Sequence, residues 1–173
     1  ELDSSVGARN CGAAILAARA MGVGCEDIQR GIHTFQLLPH RMEMVAEFDG
    51  VKFVNDSKAT NTGAVLAALE QVESGAVLIL GGKDKGDDYR LLREEVTRKV
   101  RCLVLIGESA DKVREALKGC APMVEAEDMI NAVTLAHHHA EAGDAVLLTP
   151  ACASFDMFDS YGHRGQEYRK AAS

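Results

Sequence analysis

No stretch of this sequence is rich in lysine or arginine, and its 173 residues carry a formal net charge of −7. That balance argues against nucleic acid or an anionic membrane as the main partner, because neither attracts an acidic surface. Long hydrophobic runs are also missing. The apolar segments extend for about 4–8 residues, well short of the ~18 expected of a membrane span, and no signal-peptide pattern is recognisable. The five cysteines (Cys11, Cys25, Cys102, Cys120 and Cys152) form no Cys-x-x-Cys pair and leave an odd count. They read as reduced thiols of a cytoplasmic protein rather than a disulfide frame. Internal repeats and low-complexity tracts are absent. With neither a heptad seam nor a long exposed apolar strand in the pattern, a monomer is expected.

Hydrophobic residues make up 47% of the chain and charged residues 26%, ordinary values for a globular domain with a real core. The chain opens at Glu1 rather than Met and is expected to be part of a longer protein. Two helices are expected first, over 10–21 and 26–35. Pro39 disfavours helix at the residue before it, so Leu37-Leu38-Pro39-His40-Arg41 reads as a boundary. Residues 42–48 alternate roughly with period two. Asp49-Gly50 then suits a tight hairpin turn, because both residues tolerate φ > 0, and 51–54 would return antiparallel. Strands and helices alternate thereafter: strands at 76–80, 102–106, 123–126 and 145–149, helices at 63–72, 89–99, 111–117, 129–142 and, mostly, 155–171. The strands are continuously apolar, as expected where helices cover both faces. The fold class is therefore α/β: a Rossmann-like, mostly parallel six-stranded sheet with one antiparallel edge hairpin, preceded by a short helical segment.

Four strands run into polar loops, and in a parallel sheet these share the carboxyl edge where ligands bind. The loops are Asn55 to Asn61, Gly81 to Gly86, Gly107-Glu108-Ser109, and Pro150 to Ser154. Lys58, Lys85 and backbone donors near Ser154 would suit a carboxylate or phosphate. The bland alternatives are that Asp56 and Ser154 merely cap helices, that Gly107 is turn chemistry, and that Lys83 and Lys85 are solvated charges. Gly81 and Gly86 have the spacing of a phosphate-binding P-loop, but Asp87-Asp88 follow where that pattern needs Lys and Ser or Thr. This chain thus has no triphosphate cradle of its own. Cys152 could be a nucleophile with His163 as base, though a buried, inert thiol is the simpler expectation. His137-His138-His139 cannot share one ion on a helix, since adjacent positions diverge by ~100°; a solvated helix end is expected there.

The runs Leu38-Pro39-His40-Arg41, Asn55-Asp56-Ser57-Lys58-Ala59-Thr60-Asn61, Leu80-Gly81-Gly82 and Pro150-Ala151-Cys152-Ala153-Ser154-Phe155-Asp156, with Phe158, Tyr161 and Arg164-Gly165, resemble the C-terminal part of a Mur ligase, most closely the D-glutamate-adding branch of that family. The resemblance implies three domains, with residues 1–37 as the helical tail of a central ATPase domain and 38–173 as the C-terminal domain. It implies a peptidoglycan ligase that uses ATP and Mg²⁺ to activate UDP-N-acetylmuramoyl-L-alanine as an acyl phosphate, which the amine of D-glutamate attacks. By motif, Asn10, Arg41, Asp56 and Lys58 match nucleotide-binding positions, and Thr60, Lys85, Ser154, Phe155 and Tyr161 match the D-glutamate pocket, with Lys83 the competitor of Lys85. The family pattern has His, Asn and Phe where this chain has Arg9, Ala13 and Tyr161. No catalytic or metal-binding residue is expected here, and the chain by itself is expected to be inactive. A non-catalytic nucleotide- or anion-binding module is the alternative reading of the same loops.

Overall fold

The computed structural model describes residues 5–35, 38–72 and 75–173, so Leu37 of the expected boundary lies outside the described residues. The chain divides into two compact units, Glu1–Leu38 and Pro39–Ser173. In the first, α1 (Ser5–Ala20) and α2 (Cys25–Thr34) follow one another across a short turn. Helix α1 stops at Gly22, whose N–H bonds to the Arg19 carbonyl at 3.0 Å while that of Val23 bonds to the Ala18 carbonyl at 3.0 Å. This paired return is how a glycine ends a helix and satisfies its last carbonyls. Glu26 and Asp27 occupy the first turn of α2, where carboxylates favour the positive end of the helix dipole.

The second unit begins with β1 (Glu43–Phe48) and β2 (Val51–Asn55), followed by α3 (Thr62–Glu70) and β3 (Ala76–Gly81). After a 3₁₀ turn over Tyr89–Leu92 come α4 (Arg93–Lys99), β4 (Val100–Ile106), α5 (Ala110–Ala116), β5 (Met123–Ala126), α6 (Met129–His139), β6 (Ala145–Leu148) and α7 (Tyr161–Ala171). The six strands form one sheet in the order β1-β2-β6-β3-β4-β5. Only β1 runs antiparallel. Asp49 and Gly50 close the hairpin with φ of 51° and 75°, the conformation this dipeptide favours.

All six residues of β3 are buried, because helices cover both faces. On one face Leu78, Leu80, Leu103, Leu105 and Leu147 pack with α3, α4 and α5. On the other, Val77, Ile79, Val104, Val146 and Leu148 pack with α6 and Tyr168 of α7. Lys99 is buried, yet its ammonium donates to the carbonyls of Leu69 and Val72 at 2.5 and 2.6 Å. It thereby caps the carbonyl end of α3, where a cation is favoured.

Two expectations need correction. The stretch 89–99 opens as a 3₁₀ turn, with Asp88 accepting from the Arg90 N–H, before α4 starts at Arg93. The last helix starts at Tyr161, not Phe155. Residues 154–158 form a turn in which the N–H groups of Met157 and Phe158 both reach the Ser154 carbonyl, and Asp156 is engaged with the Glu108 N–H of a neighbouring loop. Ser160 caps the helix by accepting from the His163 N–H at 3.0 Å.

Candidate functional site

Helices that follow β2, β3 and β4 lie on one face of the sheet, whereas α7, which follows β6, lies on the other. Strand β6 sits between β2 and β3. The chain therefore leaves neighbouring strands in opposite directions on either side of β6, which opens a crevice at their carboxyl ends. The loops after β2, β3 and β6 line it.

Backbone bonds lace these loops together. The Gly81 N–H reaches the Pro150 carbonyl at 2.9 Å, Lys83 and Ala153 exchange bonds at 2.9 and 3.1 Å, and the Ala151 N–H reaches the Ala59 carbonyl at 2.9 Å. Such close approach explains Gly81-Gly82. Both have strongly positive φ, 129° and 132°, and a Cβ would stand 1.9 Å from the Ile106 carbonyl oxygen at the first and 2.3 Å from that of Ala153 at the second. Only glycine fits there. His40, Met42 and Ala151 also have positive φ, at 64°, 44° and 59°. Backbone held in this sparsely populated region tends to gather at functional sites.

Beneath the crevice lies a buried polar layer. The Arg164 guanidinium, 1% exposed, donates to the Ser57 hydroxyl and carbonyl at 3.0 and 2.9 Å and to the Cys152 carbonyl at 3.1 Å. It ties the β2 loop to the β6 loop. Burial pulls its pKa down to about 10, so it stays charged at neutral pH. The Asn55 amide donates to the Gly165 carbonyl at 3.1 Å and meets His40 Nδ1 at 2.9 Å. The Lys58 N–H reaches the His40 carbonyl at 3.1 Å. The segment 40–42 is thus stitched to the β2 loop.

Lys85 donates to the Thr60 hydroxyl at 3.4 Å, joining the β3 and β2 loops across the crevice; Lys83 is instead tied through its backbone to Ala153. The Lys58 ammonium lies 5.6 Å from the centre of the Tyr161 ring, a cation–π arrangement. Ser154 is buried, while Phe155 and Tyr161 are exposed at the rim. Arg41 is exposed on the segment beside Asp56. Asp56 is 6% exposed, and burial raises its pKa to about 6 against the opposing pull of the Met42 N–H and Arg41. Asn10 belongs to the first unit, on an exposed part of α1.

Two of the bland alternatives fall here, and the simpler expectation for Cys152 holds. Asp56 is not a helix cap: its Oδ1 accepts from the Met42 N–H at 3.2 Å, and Asn61 caps α3. Ser154 does not stand at a helix start, so the dipole of α7 cannot favour an anion beside it. Cys152 is fully buried, its Sγ 3.0 Å from the Tyr89 hydroxyl and 3.2 Å from that of Ser109. Burial pushes its thiol pKa up, the opposite of what a nucleophile needs, and His163 meets Asp159 and Glu167 instead. Among the described residues no group of three or more His, Cys, Asp or Glu could hold a metal ion. His137 packs on Phe53, while His138 and His139 pack on each other. Asp84, Tyr89 and Lys112 also shape these loops, and no pattern in the sequence singles them out.

The profile of the family described as Mur ligase, glutamate ligase domain, matches residues 40–152. The chain belongs to this family. That span starts at His40 and ends at Cys152, within the loops of the crevice. The UDP-N-acetylmuramoylalanine–D-glutamate ligase of Desulfotalea psychrophila is 50% identical over 98% of this chain, and that of Desulfosudis oleivorans 48% identical over 94%. The chain spans 37% and 35% of those relatives. In fold, it is similar to a pseudomurein peptide ligase type C from Methanothermus fervidus, with a TM-score of 0.75 at 16% identity over 96% of this chain and 36% of that one. It is also similar to the UDP-N-acetylmuramate-alanine ligase MurC of Thermotoga maritima, with a TM-score of 0.67 at 12% identity over 96% and 37%. As a Mur ligase domain, the chain has the six-stranded, mostly parallel sheet expected from its sequence.

Proposed function

We propose that the protein to which this chain belongs is an ATP-dependent ligase of peptidoglycan synthesis that joins D-glutamate to UDP-N-acetylmuramoyl-L-alanine, and that this chain supplies its C-terminal part. The observation that carries the reading is the meeting of Lys85 with Thr60 across the crevice, with Lys58 on the same loop as Thr60 and Ser154 on the loop after β6. A small dicarboxylate needs a cation and several neutral donors close together, and the β2, β3 and β6 loops offer both. Relatives that bear the name of this activity and share about half of the residues support it.

In this reading Thr60, Lys85, Ser154, Phe155 and Tyr161 hold the amino acid. Arg41 and Lys58 face the phosphates of the nucleotide and Asp56 its ribose, while Asn10, of the first unit, matches a position that meets adenine in the family. ATP supplies the activation of the muramoyl carboxylate as an acyl phosphate. The residues of this chain present the amine to it and balance the charges of the amino acid. The Gly81–Gly86 loop lacks the lysine and hydroxyl that grip a triphosphate and its Mg²⁺, so the Mg²⁺ ligands belong to other parts of the longer protein. Residues 1–37 belong to the preceding ATPase domain; the exposed Leu16, Met21 and Phe35 suit helices that pack on more protein than this. The protein acts as a monomer in the bacterial cytoplasm. No helix among the described residues is long and apolar enough to cross a membrane.

The test is ADP release by the complete protein, given ATP, Mg²⁺ and UDP-N-acetylmuramoyl-L-alanine, with D-glutamate, L-glutamate and other amino acids compared. D-glutamate should be preferred by orders of magnitude. Equal or better use of another amino acid overturns the assignment.

A further inference from the structure

A lysine that receives a carboxylate has to be aimed, and Lys85 has an obvious distraction: the carboxylate of Asp84 beside it in the chain. The structure shows that carboxylate fully engaged elsewhere. Its Oδ2 accepts from the Lys112 ammonium of α5 at 2.5 Å. Its Oδ1 accepts from the Tyr89 hydroxyl at 2.8 Å and from the Gly86 N–H at 3.2 Å. Lys112 also stands 5.5 Å from the centre of the Tyr89 ring, and Tyr89 is itself buried against Cys152 of the β6 loop. On the near side of Lys85, Lys83 is bridged to Ala153 through the backbone. Lys85 therefore projects from a loop pinned on both flanks, and its ammonium reaches Thr60 rather than Asp84. Of these contacts, that of Lys112 matters most, because an unpaired Asp84 would compete for the neighbouring ammonium at close range.

We propose that Asp84, Tyr89 and Lys112 are positioning residues that hold the Lys85 ammonium for a carboxylate of the incoming acidic amino acid. Lys112 takes up the Asp84 charge, and Tyr89 fixes where that charge sits. The inference rests on the amino-acid pocket proposed above, and adds residues from α5 and the 3₁₀ turn that lie outside it. The lowered pKa of Asp84, caused first by its bond to Lys112, agrees with a carboxylate that stays ionised and paired.

The experiment uses the complete protein and measures kcat, KM for D-glutamate and KM for ATP in Lys112→Ala, Lys112→Arg and Tyr89→Phe. Tyr89→Phe alters no charge but also removes the hydroxyl's contact with Cys152 Sγ, so the thermal midpoint is measured beside KM. Lys112→Ala and Tyr89→Phe should each raise KM for D-glutamate about three- to tenfold, the loss of one such hydrogen bond. KM for ATP and kcat should change less than about twofold, and Lys112→Arg, which keeps a charge-assisted bond to the Asp84 carboxylate, should restore most of KM. If both variants leave KM for D-glutamate unchanged, or move both KM values and the thermal midpoint together, the residues are merely structural and the proposal is overturned. No turnover of D-glutamate by the unaltered protein removes the substrate reading, and this inference with it.

Discussion

Replacing Asp56 by asparagine should change how stability depends on pH, with a sign and size that follow from its burial. The carboxyl is 6% exposed and receives a single backbone N–H, from Met42 at 3.2 Å. Burial penalises the ionised form and lifts the pKa from the ordinary 3.8 to about 6. The folded chain thus holds this proton more tightly than the unfolded one. The resulting stabilisation is fully present below about pH 4, declines as pH rises, and is gone once pH has passed about 6. Two pKa units at about 1.4 kcal/mol each set the change near 3 kcal/mol. Other carboxylates act in the opposite direction: Asp84 and Glu167 are held below the usual range by their lysine partners. The comparison with Asp56→Asn cancels them, because the amide keeps the acceptor for Met42 and does not titrate. Urea unfolding of both chains between pH 4 and 7.5 should show wild type losing about 2.5 kcal/mol relative to the variant over that range, the rest of the change falling below pH 4. A stability difference that stays flat within about 1 kcal/mol would refute the claim that burial dominates the environment of Asp56.

Gly165→Ala should destabilise the chain by about 1–3 kcal/mol, because the new Cβ would stand 2.3 Å from Nδ1 of the His40 ring; an unchanged thermal midpoint would show that the ring moves aside freely. Arg164→Met should cost about 3–5 kcal/mol in urea unfolding, since it leaves the buried carbonyls of Ser57 and Cys152 without their donors. Leu78→Ala, at a fully buried site in the centre of the sheet, should cost about 2–5 kcal/mol. Thiol labelling of the native chain should modify the exposed Cys25 quickly and Cys152 only on unfolding; rapid native labelling of Cys152 would reopen its reading as a nucleophile.

Strands β3, β4 and β6 were legible because each carries an unbroken apolar run, as burial on both faces requires, whereas β1, with one side exposed, showed itself by alternation. Asp49-Gly50 was legible because two adjacent positive φ values suit few other dipeptides. The last helix was misread because residues 154–160 are held in turns by bonds to the Ser154 carbonyl and by Asp156, which local propensity does not report.

By itself, the sequence determined the α/β alternation, the parallel sheet and the polar loops of the carboxyl edge, since apolar periodicity and turn chemistry are local properties. Tertiary structure alone decided that β6 inserts between β2 and β3. That placement opens the crevice and puts Lys85 against Thr60, 25 residues away in the chain. It also decided that Arg164 lies buried between two loops and that Asp84 is claimed by Lys112. Those roles depend on which groups meet once water is excluded, and distance along the chain carries no record of them.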